Sequence, residues 1–430
     1  MDGAPIEAWH TLVHVCRKWR TIVFLSPYRL NLRLLCTAST PVRETLDVWP
    51  TLPIVIRIYS YKRWGEGNIV AALKHNDRIC EFDLFDIPSS QLEKVLPAMQ
   101  QPFPALTHLR LGFEDETAPV VPASFLGGSA PRLQSLFLDY ISFPGLPKLL
   151  LSATHLVHLD LWRIPPAGYL SPDTMVTCLS VMTRLERLDI GFESLQIPPR
   201  QESFPPWTCV LPVLTKLRFI GVDEYLEALV ARIDAPSLDT LAITFFHQLI
   251  FDTPQLSNFI SRTRKLGTHN EARVVFSDWD VSVTFPTFDG ALELELGISC
   301  RDSDWQLSSL THICSSSIPQ DLLPAVEYLY ILEDRFPQLN WQDDVENNQW
   351  LEFLRPFTGV KDFYICQEFA PRIAPALQEL VRRSVTEVLP ALRSLFFEEE
   401  LPSGPVQKAI GEFVVARRAS HPIELLLWER

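Results

Sequence analysis

Glycine is scarce in this 430-residue chain, with 16 residues against 35 prolines. No glycine-rich loop of the Walker type occurs, so the usual way of bringing backbone amides close to a phosphate is missing. G-x-S-x-G, H-E-x-x-H and C-x-x-C are missing too, which removes the common nucleophile-elbow, zinc-protease and paired-thiol chemistries. The eight cysteines follow no regular spacing and several adjoin apolar positions, such as Cys80, Cys178 and Cys366. They are expected to be free buried thiols in a reducing compartment. No apolar run approaches the roughly 20 residues that span a bilayer. The opening Met1-Asp2-Gly3-Ala4-Pro5 has neither the basic nor the apolar region of a secretory signal. Positive charge is also in deficit, 38 Lys and Arg against 52 Asp and Glu, a net charge of −14. That balance argues against nucleic acid. The expectation is a protein of the cytoplasm or nucleus with no cofactor, no metal, no nucleic acid and no membrane partner.

Weaker constellations carry little chemistry. His10 and His14 stand one turn apart near Cys16, but His10 and Cys16 are six residues apart and face differently on a helix. His155, His158 and Asp160 share one short segment without a nucleophile. Glu398-Glu399-Glu400 and Asp343, Asp344 and Glu346 read as solvated loop ends. No catalytic set emerges, so the chain is not expected to be an enzyme.

What the sequence does contain is a repeat. Proline followed by φ-x-x-φ-x-φ after one residue, where φ is apolar, occurs six times. Pro104 leads to Leu106, Leu109 and Leu111, and Pro131 to Leu133, Leu136 and Leu138. Pro212 leads to Leu214, Leu217 and Phe219, and Pro236 to Leu238, Leu241 and Ile243. Pro324 leads to Val326, Leu329 and Ile331, and Pro390 to Leu392, Leu395 and Phe397. Copies without the proline begin at Ile79, Leu156, Leu185 and Val360. The first seven copies step by 23 to 29 residues, inside the range of leucine-rich repeats. The last two apolar residues of each copy alternate, as a half-buried strand requires. A unit that cannot bury its own apolar face must stack on a copy of itself. The expected fold class is α/β, a leucine-rich-repeat-like solenoid with a curved, mainly parallel sheet. Strands are expected at 108–112, 135–139, 158–162, 187–191, 216–220 and 240–245. Helices are expected at 172–182, 223–233 and 405–419. The asparagine usual after two further residues is replaced by Ile87, Glu114, Ile141, Ile164, Glu193, Val222 and Phe246, so irregular turns are expected. Between about 250 and 320 the register blurs, although Ala272, Val274, Phe276 and Leu292, Leu294, Leu296 still alternate.

The first 45 residues carry six Lys and Arg against three acids, a basic start to an acidic chain. Leu12, Val15, Cys16, Trp19 and Val23 fall on one helical face. Ser26-Pro27 ends that helix, and Leu30, Leu32 and Leu34 alternate as a strand. The run Val15-Cys16-Arg17-Lys18-Trp19-Arg20, then Ser26-Pro27 and the leucine alternation, resembles the last part of an F-box. The remainder resembles the irregular leucine-rich-repeat region of fungal F-box proteins. The opening Leu-Pro and first amphipathic helix of an F-box have no counterpart before Trp9. The resemblance therefore implies an F-box shortened at its amino terminus, or a true start upstream. It implies a non-enzymatic subunit of a Skp–cullin–F-box ubiquitin ligase that recruits a protein substrate. Val15, Cys16, Trp19 and Arg20 would contact a Skp-type adaptor. The alternative is a general repeat scaffold with no ligase association. The expected organisation is an F-box-like helical segment over 1–36, a repeat region over 45–400 and a carboxy-terminal cap over 401–430. Val15, Trp19 and Val23 are expected to cap the first strands.

Residues flanking the strand apolar positions point away from the core. Early copies present mixed charge there, such as Asp83, Arg110 and Asp160, and late copies present Tyr328, Tyr330, Tyr364 and Phe396. Aromatic residues are favoured at interface hot spots. The late positions are therefore the expected target-binding residues, unless another element folds over them.

Overall fold

The computed structural model describes residues 15–24, 32–34, 36, 42–48, 52–58, 65–85, 88–113, 118–194, 208–246, 252–267, 269–278, 280–286, 292–299, 306–334, 347–382, 387–398, 404–417 and 422–428. His10, His14, Ser26, Pro27, Asp343, Asp344, Glu346, Glu399 and Glu400 lie outside these residues. The chain divides into two compact units. Residues 1–170 with 177–188 form the first, and residues 171–176 with 189–430 the second.

The prolines of the repeat occupy one recurrent geometry. Leu106 N–H donates to Phe103 O at 3.1 Å, closing a four-residue turn with Pro104 in its second position. The same bond closes turns around Pro131 (3.1 Å), Pro212 (3.3 Å), Pro236 (3.1 Å), Pro324 (3.2 Å) and Pro390 (3.3 Å). Proline is preset for that position by its fixed φ. Copies without proline make the same turn, as Leu156 N–H to Ala153 O and Leu185 N–H to Met182 O show at 3.1 Å each. After each turn the chain enters a strand. The next N–H reaches the preceding copy, as Gln134 N to Thr107 O at 2.7 Å and Arg393 N to Lys361 O at 2.7 Å.

In the first unit β1 (Leu32–Leu34), β2 (Ile54–Ile58), β3 (Ile79–Leu84), β4 (His108–Gly112), β5 (Ser135–Asp139) and β6 (His158–Ile164) lie side by side in chain order. All five of their pairings are parallel. Leu109, Leu136 and Leu159 are in register and buried, as are Leu111, Leu138 and Leu161. At the end of β6, Arg163 ties the strand ends of neighbouring copies together. Its guanidinium donates to Phe113 O at 2.7 Å and grips Asp139 through two bonds of 2.7 and 2.8 Å.

The strand β7 (Arg187–Phe192) has residues in both units. The second unit adds β8 (Cys209–Val210), β9 (Lys216–Gly221), β10 (Ile233–Asp234), β11 (Thr240–Phe246) and β12 (Glu271–Phe276). It continues with β13 (Asp280–Pro286), β14 (Leu292–Ser299), β15 (Tyr328–Glu333), β16 (Asp362–Ile365), β17 (Ser394–Phe397) and β18 (Glu424–Leu427). Its main sheet runs β9-β11-β14-β13-β12-β15-β16-β17-β18. Every pairing in that run is parallel except β12 with β13 and β13 with β14. The blurred register between 250 and 320 is thus an antiparallel meander set into a parallel sheet. Antiparallel neighbours need only a short reversal, here closed by Ser277 N–H to Asp280 O at 2.9 Å, so no lead turn is required. Val281, Val283 and Phe285 of β13 alternate and are buried, a strand that the repeat pattern does not predict.

All six expected strands form, each at its expected start or extended by one or two residues. Two expected helices end early, at Leu179 and Val230, and the carboxy-terminal one spans Pro405–Arg417. The helix from Asp223 stops because Ile233 pairs with Cys209 in the small parallel pair of β8 and β10. Arg232, buried at that exit, donates to Ala228 O at 2.9 Å and forms an ion pair with Asp173.

Turn and core should separate cleanly in stability. Pro131→Ala should cost roughly 0.4–1 kcal/mol, mainly by freeing the unfolded chain. Leu133→Ala, at a fully buried position, should cost roughly 2–5 kcal/mol. Urea unfolding of both variants checks this, and equal costs would show that the proline is a packing residue instead.

Candidate functional site

The outward face of the first unit is built by register. Arg57, Asp83, Arg110, Phe137 and Asp160 stand in one row across β2 to β6. They border a concavity of about 260 Å³ that is also lined by Glu81 and His108. Arg57 pairs with Glu81 at 2.6 Å, and Asp160 with Arg187 at 3.1 Å. The Arg110 guanidinium lies 4.0 Å from the ring centre of Phe85 and 4.9 Å from that of Phe137. Those rings meet edge to face at 5.9 Å. Phe85 can lie there because residue 112 is glycine; a Cβ at Gly112 would come within 2.6 Å of its ring. Burial pushes the Asp83 carboxyl above the usual carboxylate range, with Arg110 and Arg57 pulling it back.

The second unit presents aromatics in the equivalent place. Arg273, Tyr330, Tyr364, Phe396 and Leu426 are in register across β12, β15, β16, β17 and β18. Tyr330 stacks on Tyr364 at 4.2 Å and 12°, and Tyr364 on Phe396 at 4.2 Å and 10°. The 4.2 Å separations suit neighbouring strands, which bring in-register rings face to face. All three rings are half-buried. The Arg273 guanidinium stands 5.6 Å from the Tyr330 ring centre and pairs with Glu271 at 2.6 Å. Burial raises the hydroxyl pKa of Tyr330 and of Tyr364. Tyr328 is not in the stack; it sits one row away, beside Glu271 and Asp362. The helix Pro405–Arg417 does not cover the rings. It lies against the helix Ala370–Arg382, with Gln378 bonded to Glu412 at 2.5 Å. What does reach the stack is Trp428, whose ring stands edge to face with Tyr330 at 6.0 Å and with Tyr364 at 5.5 Å. Trp428 and Arg273 were not legible from the repeat. The alternation of Ile423, Leu425 and Leu427 is the signal that would have placed a last strand before Trp428.

The amino-terminal expectation needs correction in its packing. Val15, Cys16, Trp19 and Arg20 are all exposed around the helix Arg17–Phe24. Val15 is 63% exposed and Trp19 46%, so neither side chain caps the first strands. In that part of the chain it is Val42 and Leu46 that are buried, on the helix Val42–Val48 against the helix Glu66–Leu73.

Six of the thiols are quiet. Burial pushes Cys36, Cys314 and Cys366 up to about 12, and Cys80, Cys178 and Cys209 up to about 11. Among the described residues Cys366, Glu368 and Glu398 bring ligand atoms within 4.8 Å of one another. Burial and the neighbouring Glu368 carboxylate raise the Cys366 thiol, and three neighbouring groups of these types are no metal site by themselves. Among the described residues no helix is long and apolar enough to cross a membrane.

No family model matches the chain. No curated protein matches it either. Among solved structures, the leucine-rich repeat-containing protein LegL7 from Legionella pneumophila is similar over 89% of this chain and 97% of its own, at 12% identity and a TM-score of 0.32. A likeness of that size identifies neither a family nor an activity.

Asp83 gives a pH test of the early row. Its folded-state pKa is raised above the ordinary value of about 4, so folding favours the protonated form. That contribution is full below the unfolded value and is lost as pH rises through the raised value. Asp83→Asn should remove the loss, so the variant should gain stability relative to wild type as pH climbs above about 4. Urea unfolding across a pH series reads the difference. A variant that instead loses relative stability as pH rises would show that Arg57 and Arg110 outweigh burial.

Proposed function

We propose that this chain is a non-enzymatic protein-recognition scaffold that holds a target protein on the aromatic stack of its second unit. The observation that carries this reading is the half-buried ladder of Tyr330, Tyr364 and Phe396 on an outward strand face. Stacked rings offer large contact area for little lost side-chain freedom, and such residues dominate interface energetics. The charged row of the first unit, with Asp83 and Arg110, would tune encounter rate and salt sensitivity. Tyr328, one row away, would contribute at the rim.

The finer reading is a substrate-recruiting subunit of a Skp–cullin–F-box ubiquitin ligase. Exposed Val15, Trp19 and Ile22 beside basic Arg17, Lys18 and Arg20 support it. An apolar helix face left at the surface is what an adaptor contact requires, and the basic flank suits an acidic adaptor. The target would then be held for ubiquitination by a partner enzyme. Without the adaptor, the chain is a general interaction scaffold.

Pull-down of the full chain from cell extract tests the target surface. Tyr330→Ala with Tyr364→Ala should weaken capture by about 30-fold or more, as for the loss of a hot spot of about 2 kcal/mol. Asp83→Ala with Arg110→Ala should mainly change its salt dependence. Loss of partners only with the second pair would move the target to the first unit.

Trp19→Ala tests the ligase reading. At an exposed position it should shift stability by no more than about 0.5 kcal/mol, while a small acidic Skp-type adaptor no longer co-purifies. Absence of that adaptor from the wild-type complex would leave the general scaffold.

A further inference from the structure

The geometry points to the strand β18 with Trp428 as a displaceable occupant of the target surface, seated where an extended segment of the partner protein binds. This rests on the reading of the aromatic ladder as that surface and specifies what the ladder accepts. β18 is held on one side by parallel pairing to β17, from Glu424 N–H to Arg393 O at 2.9 Å to Trp428 N–H to Phe397 O at 3.0 Å. Its side chains are poorly covered. Leu395 and Phe397 of β17 are buried, yet Leu425 and Leu427, their partners in register, are 46% and 60% exposed. The strand therefore contributes little buried apolar area to hold itself in place.

Trp428 shows the chemistry of the occupant. Stacking takes both faces of Tyr364 and one face each of Tyr330 and Phe396, and Arg273 stands against Tyr330, so Tyr330 and Tyr364 offer mainly their edges. A second aromatic ring laid across those edges is the favoured contact, and Trp428 makes it with Tyr330 and Tyr364 at 71° and 83°. The fit is incomplete in one respect. The indole N–H of Trp428 is buried and makes no hydrogen bond among the described residues. A buried donor without an acceptor weakens the contact that contains it. A partner segment that repeats the backbone pairing, places an aromatic ring over Tyr330 and Tyr364, and satisfies its own polar groups would replace β18. This is strand addition at a sheet edge, with main-chain bonds for affinity and one aromatic pocket for specificity. The partner is thus a protein with an extended apolar stretch that ends in an aromatic residue.

The probe is a fluorescent peptide with the sequence of residues 424–428, Glu-Leu-Leu-Leu-Trp, titrated into the purified full chain. In wild type the intrachain strand competes with the peptide and reduces the competent fraction. Trp428→Ala weakens that competitor and should tighten peptide binding by roughly tenfold or more. Adding Tyr364→Ala to Trp428→Ala should abolish the gain, and a peptide ending in alanine should not bind. Thermal unfolding of both variants establishes that they fold. On the wild-type chain, the amides of β18 should exchange hydrogen faster than those of β16. Equal peptide affinity in wild type and Trp428→Ala, or a gain that survives Tyr364→Ala, would overturn the proposal. So would a concentration-dependent dimer of the wild type, read by light scattering, since a second copy would then be the occupant. The titration uses no cellular target, so its failure is distinct from a failure of the ladder to capture partners.

Discussion

The structure depends on keeping two apolar residues per strand in lateral register with those of the next strand. Leu109, Leu136 and Leu159 share one buried row, and Leu111, Leu138 and Leu161 share the next. A slip of one residue would turn every such leucine to the surface. The recurrent turn sets this register. Its closing hydrogen bond places the lead residue, and the following N–H reaches the preceding copy before the strand begins. Proline favours the turn by its fixed φ, but the turns at Leu156 and Leu185 form without it. The apolar spacing is therefore the requirement and proline an aid to it.

Register also dictates what each surface offers. Side chains between the buried positions have to point outward, so whatever occupies them becomes a lateral row. In the first unit that row alternates charge and includes an arginine held between two phenylalanine rings. In the second it becomes a stack of aromatic rings. The spacing of the strands brings the rings to stacking distance. Function in such a protein is written on positions that stability leaves free, which is why two surfaces of opposite character can share one strand pattern.

The antiparallel meander of β12, β13 and β14 shows where this economy ends. It enters the main sheet in reversed order, β14 next to β11 and β12 next to β15. Its residues keep the two-residue alternation because one face is still buried, but they lose the lead turn because hairpin neighbours need no crossover. The reversal delivers Arg273 to the row of Tyr330. A regular repeat in that place would have supplied a residue from a strand much nearer to β15 in sequence.

The strand positions of the repeat copies, the parallel pairing of neighbouring copies outside the meander and the outward place of Tyr330, Tyr364 and Phe396 were legible in the sequence, because alternation and turn chemistry are local and act within a few residues. The helix ends at Leu179 and Val230 were not, because they depend on distant partners such as Asp173 for Arg232 and Cys209 for Ile233. The same holds for the amino-terminal helix: periodicity gave it an apolar face, but only tertiary structure decided that Val15 and Trp19 stay exposed while Val42 and Leu46 are buried. The order of the meander and the arrival of Trp428 over two tyrosines more than 60 residues earlier belong to the same class. Local periodicity determines which side of a strand a residue occupies. Which strand lies beside it, and which ring crosses it, is set by long-range packing, whose free energy is gained only once the whole chain is folded.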